Sequence, residues 1–261
     1  MHETQYISSL REQLRQLLSE PPETGNDRAG RWLEEHGGFP GRPWILHGAG
    51  GLGQRVREHL LSTHQEIVAI TDGNPTRWGS TAGGFRIQPP LEALAKWGNE
   101  AAVLVTICNT HHDFRETLNH LRSATVAPIL PVQGYFWKFP QVFLPYYSFD
   151  LPSPFLEARD QLFHVAELLE DRISLDQFIG QLRWRLRLEP DVLPSASPES
   201  QYFPSDLVPR TLRGLFVDCG AYDGDTIRAL MDHVGPLLPP VVAYEPDPHN
   251  HARMLEWSRT L

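Results

Sequence analysis

The stretch FVDCGAYDGDT, residues 216–226, decides how the C-terminal part of the chain folds. Apolar residues run into a glycine turn and then into polar residues that begin a helix, an arrangement typical of a cofactor site. A second turn of this kind, HGAGGLG, occupies residues 47–53. The later turn carries three carboxylates, on Asp218, Asp223 and Asp225, whereas the earlier turn carries none. The contrast predicts that the two turns bind ligands of opposite charge.

The charge of the later turn favours a cationic ligand. A phosphate near any of these carboxylates would meet a repulsion on the order of 4 kcal/mol at ~4 Å and an effective dielectric constant of ~20. S-adenosylmethionine carries a sulfonium and an ammonium group and no phosphate. An acidic glycine turn therefore suits this cofactor and disfavours dinucleotides.

The sequence FVDCGAYDGDT followed by VVAYEPDPHNHARML, residues 241–255, resembles the FkbM-type methyltransferases, a branch of the class I S-adenosylmethionine-dependent enzymes. The resemblance implies that Glu245 binds the ribose hydroxyls and that Pro246 shapes the turn behind it. Tyr222 stands where the commoner class I pattern has a glycine, a change that this family tolerates. The residues implied to lie against the methionine part of the cofactor are Asp218, Gly220, Ala221 and Gly224. Tyr222 lies in the same turn and is included in the predicted cofactor site.

The resemblance also has implications for activity and extent. It implies transfer of a methyl group to a hydroxyl on a sugar, a glycan precursor or another small metabolite. The upstream sequence, including QYFP at residues 201–204, resembles family members that have an N-terminal Rossmann-like extension. The resemblance is specific only from about Gln201 onward. No catalytic residue is identified by it.

The earlier turn fits the pattern G-x-G-x-x-G, follows an apolar strand and opens a helix, a context that favours a phosphate group at the helix start. Its glycines are Gly48, Gly50, Gly51 and Gly53. Asp72 ends the next strand, where an acid binds ribose hydroxyls in dinucleotide-binding domains. The region resembles the small Rossmann domains of sugar-modifying enzymes and nucleotide-sugar-dependent oxidoreductases, which implies a nucleotide or NAD(P). The alternative is that the glycines serve close packing and that residues 72–75 form a simple turn.

The segment TICNTHHDF, residues 106–114, places further polar side chains after the third predicted strand. Cys108, Asn109, His111 and His112 match no common metal-ligand spacing, so no metal is predicted. Asn109 or Thr110 is expected to cap the following helix instead.

The fold class predicted is α/β, in four parts. Residues 1–40 form an amphipathic helix and a linker, and residues 41–131 a Rossmann-like parallel sheet covered by helices. Residues 132–210 form an aromatic, proline-rich and helical connection. Residues 211–261 form the first strands of a class I methyltransferase domain. Because only one helix start follows Glu245, we expect the chain to be truncated and to transfer no methyl group by itself.

The composition excludes several classes of function. A net charge of -9 argues against a nucleic-acid surface, and no apolar run is long enough to span a bilayer. Two cysteines far apart in the sequence favour the reducing cytoplasm.

Tyr6, Leu10, Leu14 and Leu17 form one stripe, which predicts a helix for packing or for dimerisation.

The connecting region is rich in aromatic residues, which predicts interdomain packing more than an apolar acceptor site. These residues are Tyr135, Phe136, Trp137, Phe139, Phe143, Tyr146, Tyr147 and Phe149. The alternatives to a methyltransferase are a nucleotide- or nucleotide-sugar-binding module and a nicotinamide-dependent oxidoreductase, whose catalytic residue the sequence does not locate.

Overall fold

The structure, a computed structural model, describes residues 3–38, 41–108, 112–147, 149–193, 202–204 and 207–260. The chain divides into two compact units, Met1–Pro194 and Ser195–Leu261. The four-part division expected from the sequence stays a prediction.

The first unit contains a mixed sheet and a set of helices. Its strands are β1 (Trp44–His47), β2 (Ile67–Thr71), β3 (Thr81–Ala82), β4 (Phe85–Gln88), β5 (Ala102–Val105) and β6 (Ile129–Pro131). Its helices are α1 (Glu3–Leu17), α2 (Pro22–Glu35), α3 (Gly51–Ser62), α4 (Pro90–Trp97), α5 (Phe114–Arg122), α6 (Val132–Lys138), α7 (Pro140–Phe143), α8 (Pro152–Glu157), α9 (Arg159–Leu168) and α10 (Arg172–Arg187). The second unit contains β7 (Phe216–Cys219), α11 (Asp225–Val234), β8 (Val241–Tyr244) and α12 (Pro248–Ser258).

The six strands of the first unit lie in the order β3-β4-β2-β1-β5-β6, and every pair is parallel except β3 with β4. The predicted α/β fold with a parallel sheet is confirmed. The chain moves outward from β1 in one direction through β2 and β4, and in the other through β5 and β6. The order therefore reverses between β1 and β5, and ligands of such sheets bind at the carboxyl ends of the strands beside this point.

Helices cover both faces of the sheet, which explains why β1 and β5 are apolar at every position. On one face, Leu46 and Leu104 pack with α2, α3 and α6. On the other face, Ile45 and Val103 pack with α4 and α5. The alternation of neighbouring residues between the two cores follows from the two-residue period of a strand.

Helix α1 packs inside its own unit. Leu10, Leu14 and Leu18 are buried against Ile179 and Leu182 of α10, among other residues. Of the predicted stripe, Leu10 and Leu14 are buried and Tyr6 and Leu17 are partly buried, and Leu18 is buried as well. Because this face is used within the chain, α1 lends no support to a dimer.

The expected linker after the N-terminal helix contains a second helix in the structure. Helix α1 ends at Leu17, and α2 begins with Pro22 at its first position, where proline loses no hydrogen bond, so residues 22–35 of the expected linker are helical. Helix α10 is capped by Asp171, whose carboxylate accepts a hydrogen bond from Ser174 N.

The aromatic run forms part of the core of the first unit. Tyr135, Phe136 and Trp137 are buried on α6, and the ring of Phe136 stacks on that of Phe143. The run therefore packs against the sheet of its own unit, and the expectation of interdomain packing was wrong for these buried rings.

In the second unit, β7 and β8 form a parallel pair. Phe216, Val241 and Ala243 pack against the helices, whereas Val217 and Tyr244 on the opposite face are exposed. In the part of the chain that the structure describes, no helix is long and apolar enough to cross a membrane.

Candidate functional site

The later glycine turn, which we term the acidic turn (residues 218–225), joins β7 to α11. Gly220 N and Ala221 N both donate hydrogen bonds to the Tyr244 carbonyl oxygen, over 2.7 and 3.0 Å. Cys219 pairs with Tyr244 in the parallel register, so the turn begins where β8 ends. These hydrogen bonds hold the carboxyl ends of β7 and β8 together.

Glu245, which follows β8, makes a hydrogen bond to the acidic turn. Its Oε2 accepts a hydrogen bond from Tyr222 N, and its Oε1 accepts one from Asp247 N, both over 2.8 Å. Pro246 lies between these contacts and is exposed. Each carboxylate oxygen keeps a second lone pair, so Glu245 can still accept hydrogen bonds from hydroxyl groups.

The glycines of the acidic turn have different roles. Gly220 has a φ of 97°, and a Cβ at this position would meet no atom within 4 Å. Gly224 has a φ of 88°, and its Cβ would lie 2.7 Å from the Trp257 ring of α12. Gly224 therefore permits helix packing, whereas the backbone at Gly220 is open for a ligand to approach.

Asp223 is neutralised within the turn. Its Oδ1 and Oδ2 lie 2.6 Å from guanidinium nitrogens of Arg228 and Arg253, respectively. Arg253 also lies over the ring of Tyr222. The expectation that three carboxylates give the turn its negative charge is corrected here, because Asp223 connects the turn to α11 and α12.

Asp218 has the opposite environment. Its Oδ2 is shielded from solvent, and no hydrogen-bond partner for it is found among the described residues. Burial, and then the negative charges of Asp225 and Glu245, raise the pKa of the Asp218 carboxyl. A shielded carboxylate oxygen without a partner is costly, and a positive group placed beside it would remove that cost.

The structure thus brings all the residues predicted for the later site to one end of the β7–β8 pair. These residues are Asp218, Gly220, Ala221, Tyr222, Gly224, Glu245 and Pro246. Sequence analysis did not identify Arg253, because its position beside the turn depends on how α12 packs.

The earlier turn, which we term the glycine loop (residues 48–53), joins β1 to α3. Gly48 has a φ of 118°, and a Cβ on Gly53 would overlap the Gly48 carbonyl oxygen. Side chains at Gly50 and Gly51 would instead meet open space. Gly48 and Gly53 therefore allow close packing, as the alternative interpretation of the glycines expects. The backbone at Gly50 and Gly51, at the start of α3, is open.

Asp72 closes the glycine loop at the end of β2. Its Oδ2 accepts a hydrogen bond from Ala49 N, and its Oδ1 accepts one from Asn74 N, both over 2.9 Å. Asn74 in turn caps a short 3-10 helix at Pro75–Arg77. Asp72 thus begins a turn and also contacts the glycine loop. The interpretation as a turn residue and the interpretation as a ribose-binding acid are therefore compatible.

A cleft of about 610 Å³ opens at the carboxyl ends of the strands beside the glycine loop. Pro89 and Leu91 at the start of α4 and Trp78 after the 3-10 helix contribute apolar walls, and Glu116 and Thr117 of α5 contribute polar groups. The volume lies in the range of small-molecule sites. The sequence gives no signal for this cleft, because its walls come from four separate segments.

His47 also lines the cleft, although it is 4% exposed. Its Nδ1 lies 3.0 Å from Thr71 Oγ1, which itself donates to the Leu46 carbonyl oxygen. Nδ1 therefore carries the ring proton, and Nε2 is a hydrogen-bond acceptor with no partner in the described ranges. Burial lowers the pKa of His47 to about 4, so the ring is neutral near pH 7.

The polar segment after β5 does not assemble a metal site in the described part of the chain, where no group of three or more His, Cys, Asp and Glu side chains is placed to hold an ion. Cys108 accepts a hydrogen bond from Gln133 Nε2, and burial raises the pKa of its thiol. Asn109, Thr110 and His111 lie outside the described residues. Helix α5 is capped by Asp113, so the expectation that Asn109 or Thr110 caps it was wrong.

Taken with the fold, these two turns define an α/β protein with a Rossmann-like sheet and two strand–turn–helix sites. In a comparison of structures, the chain is similar to the methyltransferase FkbM from Methylobacillus flagellatus KT, with a TM-score of 0.60 and 20% sequence identity. The similarity covers 92% of this chain and 69% of that protein. No family model and no curated protein matches the sequence. At this identity the comparison establishes the fold.

Proposed function

We propose that the protein is an S-adenosylmethionine-dependent methyltransferase of the FkbM type that binds its cofactor at the acidic turn. The observation that carries the proposal is the shielded, unpartnered Oδ2 of Asp218 beside the open backbone of Gly220. The fold shared with a methyltransferase supports it. The sequence resemblance points to the same residues.

The residues present fit this cofactor. Asp218 offers a carboxylate to the ammonium group of the methionine part, and Gly220 and Ala221 offer a backbone without an intervening side chain. Glu245 offers its remaining lone pairs to the two ribose hydroxyls. Tyr222 and Gly224 fix the course of the turn, and Pro246 follows the acid.

When bound, S-adenosylmethionine supplies an electrophilic methyl group on its sulfonium. The acceptor we propose is a hydroxyl on a sugar, a glycan precursor or another small metabolite, which would gain the methyl group as an ether and lose its proton. This acceptor class comes from the family resemblance, and no general base is assigned. The two free cysteines accord with the cytoplasmic location that we propose for the protein.

Calorimetric titration of S-adenosylmethionine into the wild type and Asp218→Asn tests the proposal. Asparagine keeps the shape of the side chain and removes its charge. A hydrogen bond to a charged group contributes about 1.5–3 kcal/mol, so the variant should bind about 10- to 100-fold more weakly. The matched control is Asp232→Asn, which removes an exposed carboxylate from α11 and should leave the affinity unchanged.

Two results would count against the proposal. One is the absence of detectable S-adenosylmethionine binding to the wild type at millimolar concentration. The other is equal affinity in the wild type and Asp218→Asn, because it would show that the cofactor does not pair with this carboxylate.

A further inference from the structure

We infer that Arg253 of α12 is a positioning residue for the ribose of the cofactor. It holds the acidic turn in the conformation in which the turn donates a hydrogen bond to Glu245, the acid that we assign to the ribose hydroxyls. The inference rests on the proposed function, and it extends the cofactor site to a helix that the sequence motif does not include.

The position of the Glu245 carboxylate depends on two backbone N–H groups. Its Oε2 accepts a hydrogen bond from Tyr222 N in the acidic turn, and its Oε1 accepts one from Asp247 N, both over 2.8 Å. Asp247 is also the cap of α12, because its own carboxylate accepts hydrogen bonds from His249 N and Asn250 N. One oxygen of Glu245 is therefore held by the start of α12 and the other by the acidic turn.

The N–H group on the turn side belongs to a residue in an unfavourable backbone conformation. Tyr222 has a φ of 47°, in the left-handed region that side chains other than those of asparagine and aspartate rarely adopt. Such a conformation persists only where the surrounding structure enforces it. The side chain of Tyr222 is half-exposed, so burial in a core does not enforce it. Contacts made by the turn itself must hold Tyr222 in place.

Arg253 supplies such contacts to Tyr222 and to the residue after it. Its Nη2 lies 2.6 Å from Asp223 Oδ2, and its guanidinium carbon lies 5.7 Å from the centre of the Tyr222 ring. The Asp223 side chain is only 15% exposed, and its other carboxylate oxygen is bound by Arg228 of α11. An ion pair within a partly buried network of charges is stronger than a pair of exposed side chains. Arg253 thus fixes two consecutive residues of the turn.

Helix α12 therefore reaches both oxygens of Glu245. It reaches Oε1 directly through Asp247 N, and it reaches Oε2 through Arg253 and the acidic turn. Because both oxygens are restrained, the lone pairs that remain on them have fixed directions before a ligand arrives. Such preorganisation lowers the cost of ordering the site when two ribose hydroxyls bind.

Calorimetric titration of S-adenosylmethionine into the full chain carrying Arg253→Met tests the inference. Methionine favours a helix as arginine does, so α12 should be retained while the guanidinium is removed. We expect the affinity to fall roughly 3- to 30-fold, within the range found for residues coupled in one network. The matched control is Arg259→Met, which removes an exposed guanidinium just after α12 and should leave the affinity unchanged.

A double-mutant cycle with Glu245→Gln distinguishes positioning of this acid from a general loosening of the helix. If Arg253 acts through Glu245, the double variant should bind S-adenosylmethionine no more than about 2-fold more weakly than Glu245→Gln alone. Effects of the two substitutions that simply multiply would overturn the inference, because Arg253 would then act on another part of the site.

Hydrogen exchange without cofactor gives a readout that does not depend on binding. In Arg253→Met, residues 218–225 should exchange faster than in the wild type, whereas in Arg259→Met they should exchange at the wild-type rate. Unchanged exchange in this turn, or equal affinity of Arg253→Met and the wild type for S-adenosylmethionine, overturns the positioning role and leaves the proposed function intact. Failure of the wild type to bind the cofactor overturns both.

Discussion

Asp218 and Asp223 lie five residues apart in one turn and have opposite environments. Asp223 is held by two guanidinium groups, whereas Asp218 has a shielded oxygen without a partner among the described residues. A native fold retains such a carboxylate at a cost in stability, which is common where a ligand completes the site. The sequence shows both acids but not which of them is neutralised.

Replacing Asp218 should therefore raise stability while it weakens cofactor binding. Because the pKa of this carboxyl is raised above its ordinary 3.8, the folded state is destabilised at every pH at which the group is ionised, and acid relieves the penalty. We expect Asp218→Asn to melt at a higher temperature than the wild type at pH 7, with a smaller difference near pH 4. A lower melting temperature at pH 7 would show that Asp218 has a stabilising partner.

His47 should make the first unit sensitive to mild acid. Its pKa is lowered from 6.5 to about 4, first by burial and further by His112 and His120, while Asp72 opposes the shift. The unfolded chain therefore takes up a proton first as the pH falls from 6.5 to 4, and stability falls across that window. The difference of about 2.5 pKa units corresponds to roughly 3 kcal/mol.

Urea unfolding of the wild type and His47→Gln at several pH values measures this effect. The wild type should lose more stability than the variant between pH 6.5 and pH 4, and the two should run parallel above pH 7. Parallel curves throughout would mean that His47 titrates normally in the folded protein.

Helix α3 contains two glycines with opposite requirements. A Cβ at Gly53 would overlap the Gly48 carbonyl oxygen, whereas Gly51 faces open space without a positive φ. Gly53→Ala should destabilise the protein by about 1–3 kcal/mol through overpacking. Gly51→Ala should be neutral or should stabilise it by up to about 1 kcal/mol, because alanine favours a helix. Thermal unfolding followed by circular dichroism compares the two, and equal effects would contradict the assigned packing role of Gly53.

The sequence predicts what depends on local geometry and misses what depends on distant contacts. Both glycine turns were predicted, since a strand, a glycine turn and a helix start are consecutive in the chain. The β3–β4 hairpin was missed although Gly83 and Gly84 form its turn, because its strands are too short for a visible alternation. Helix α2 was missed because the residues after the N-terminal helix were interpreted as a linker, although proline is common at the first position of a helix. The pairing of Asp223 with Arg253 requires α12 to be in place, which no local pattern reveals.

The two units differ in how well their strands are covered. The central strands of the first unit are buried on both faces, whereas β7 and β8 expose Val217 and Tyr244 on one face. A two-stranded pair exposed in this way is only marginally stable in water. Amide hydrogen exchange should therefore be much faster in β7 and β8 than in β1 and β5. Equal protection would show that the exposed face is covered in solution.

In the described part of the molecule, two strand–turn–helix segments differ in the carboxylates that they carry. In each, the acid that follows the next strand accepts a backbone hydrogen bond from the turn, Asp72 from Ala49 N and Glu245 from Tyr222 N, but only the acidic turn has a shielded carboxylate within it. We propose that the cationic cofactor binds at the acidic turn.

Hydrogen exchange of the full chain with and without S-adenosylmethionine tests that claim most directly. We expect slower exchange on cofactor addition in residues 218–225 and 241–247, with no change in residues 48–53. Protection at the glycine loop without protection at the acidic turn would contradict it, as would the absence of any change at a cofactor concentration of several millimolar.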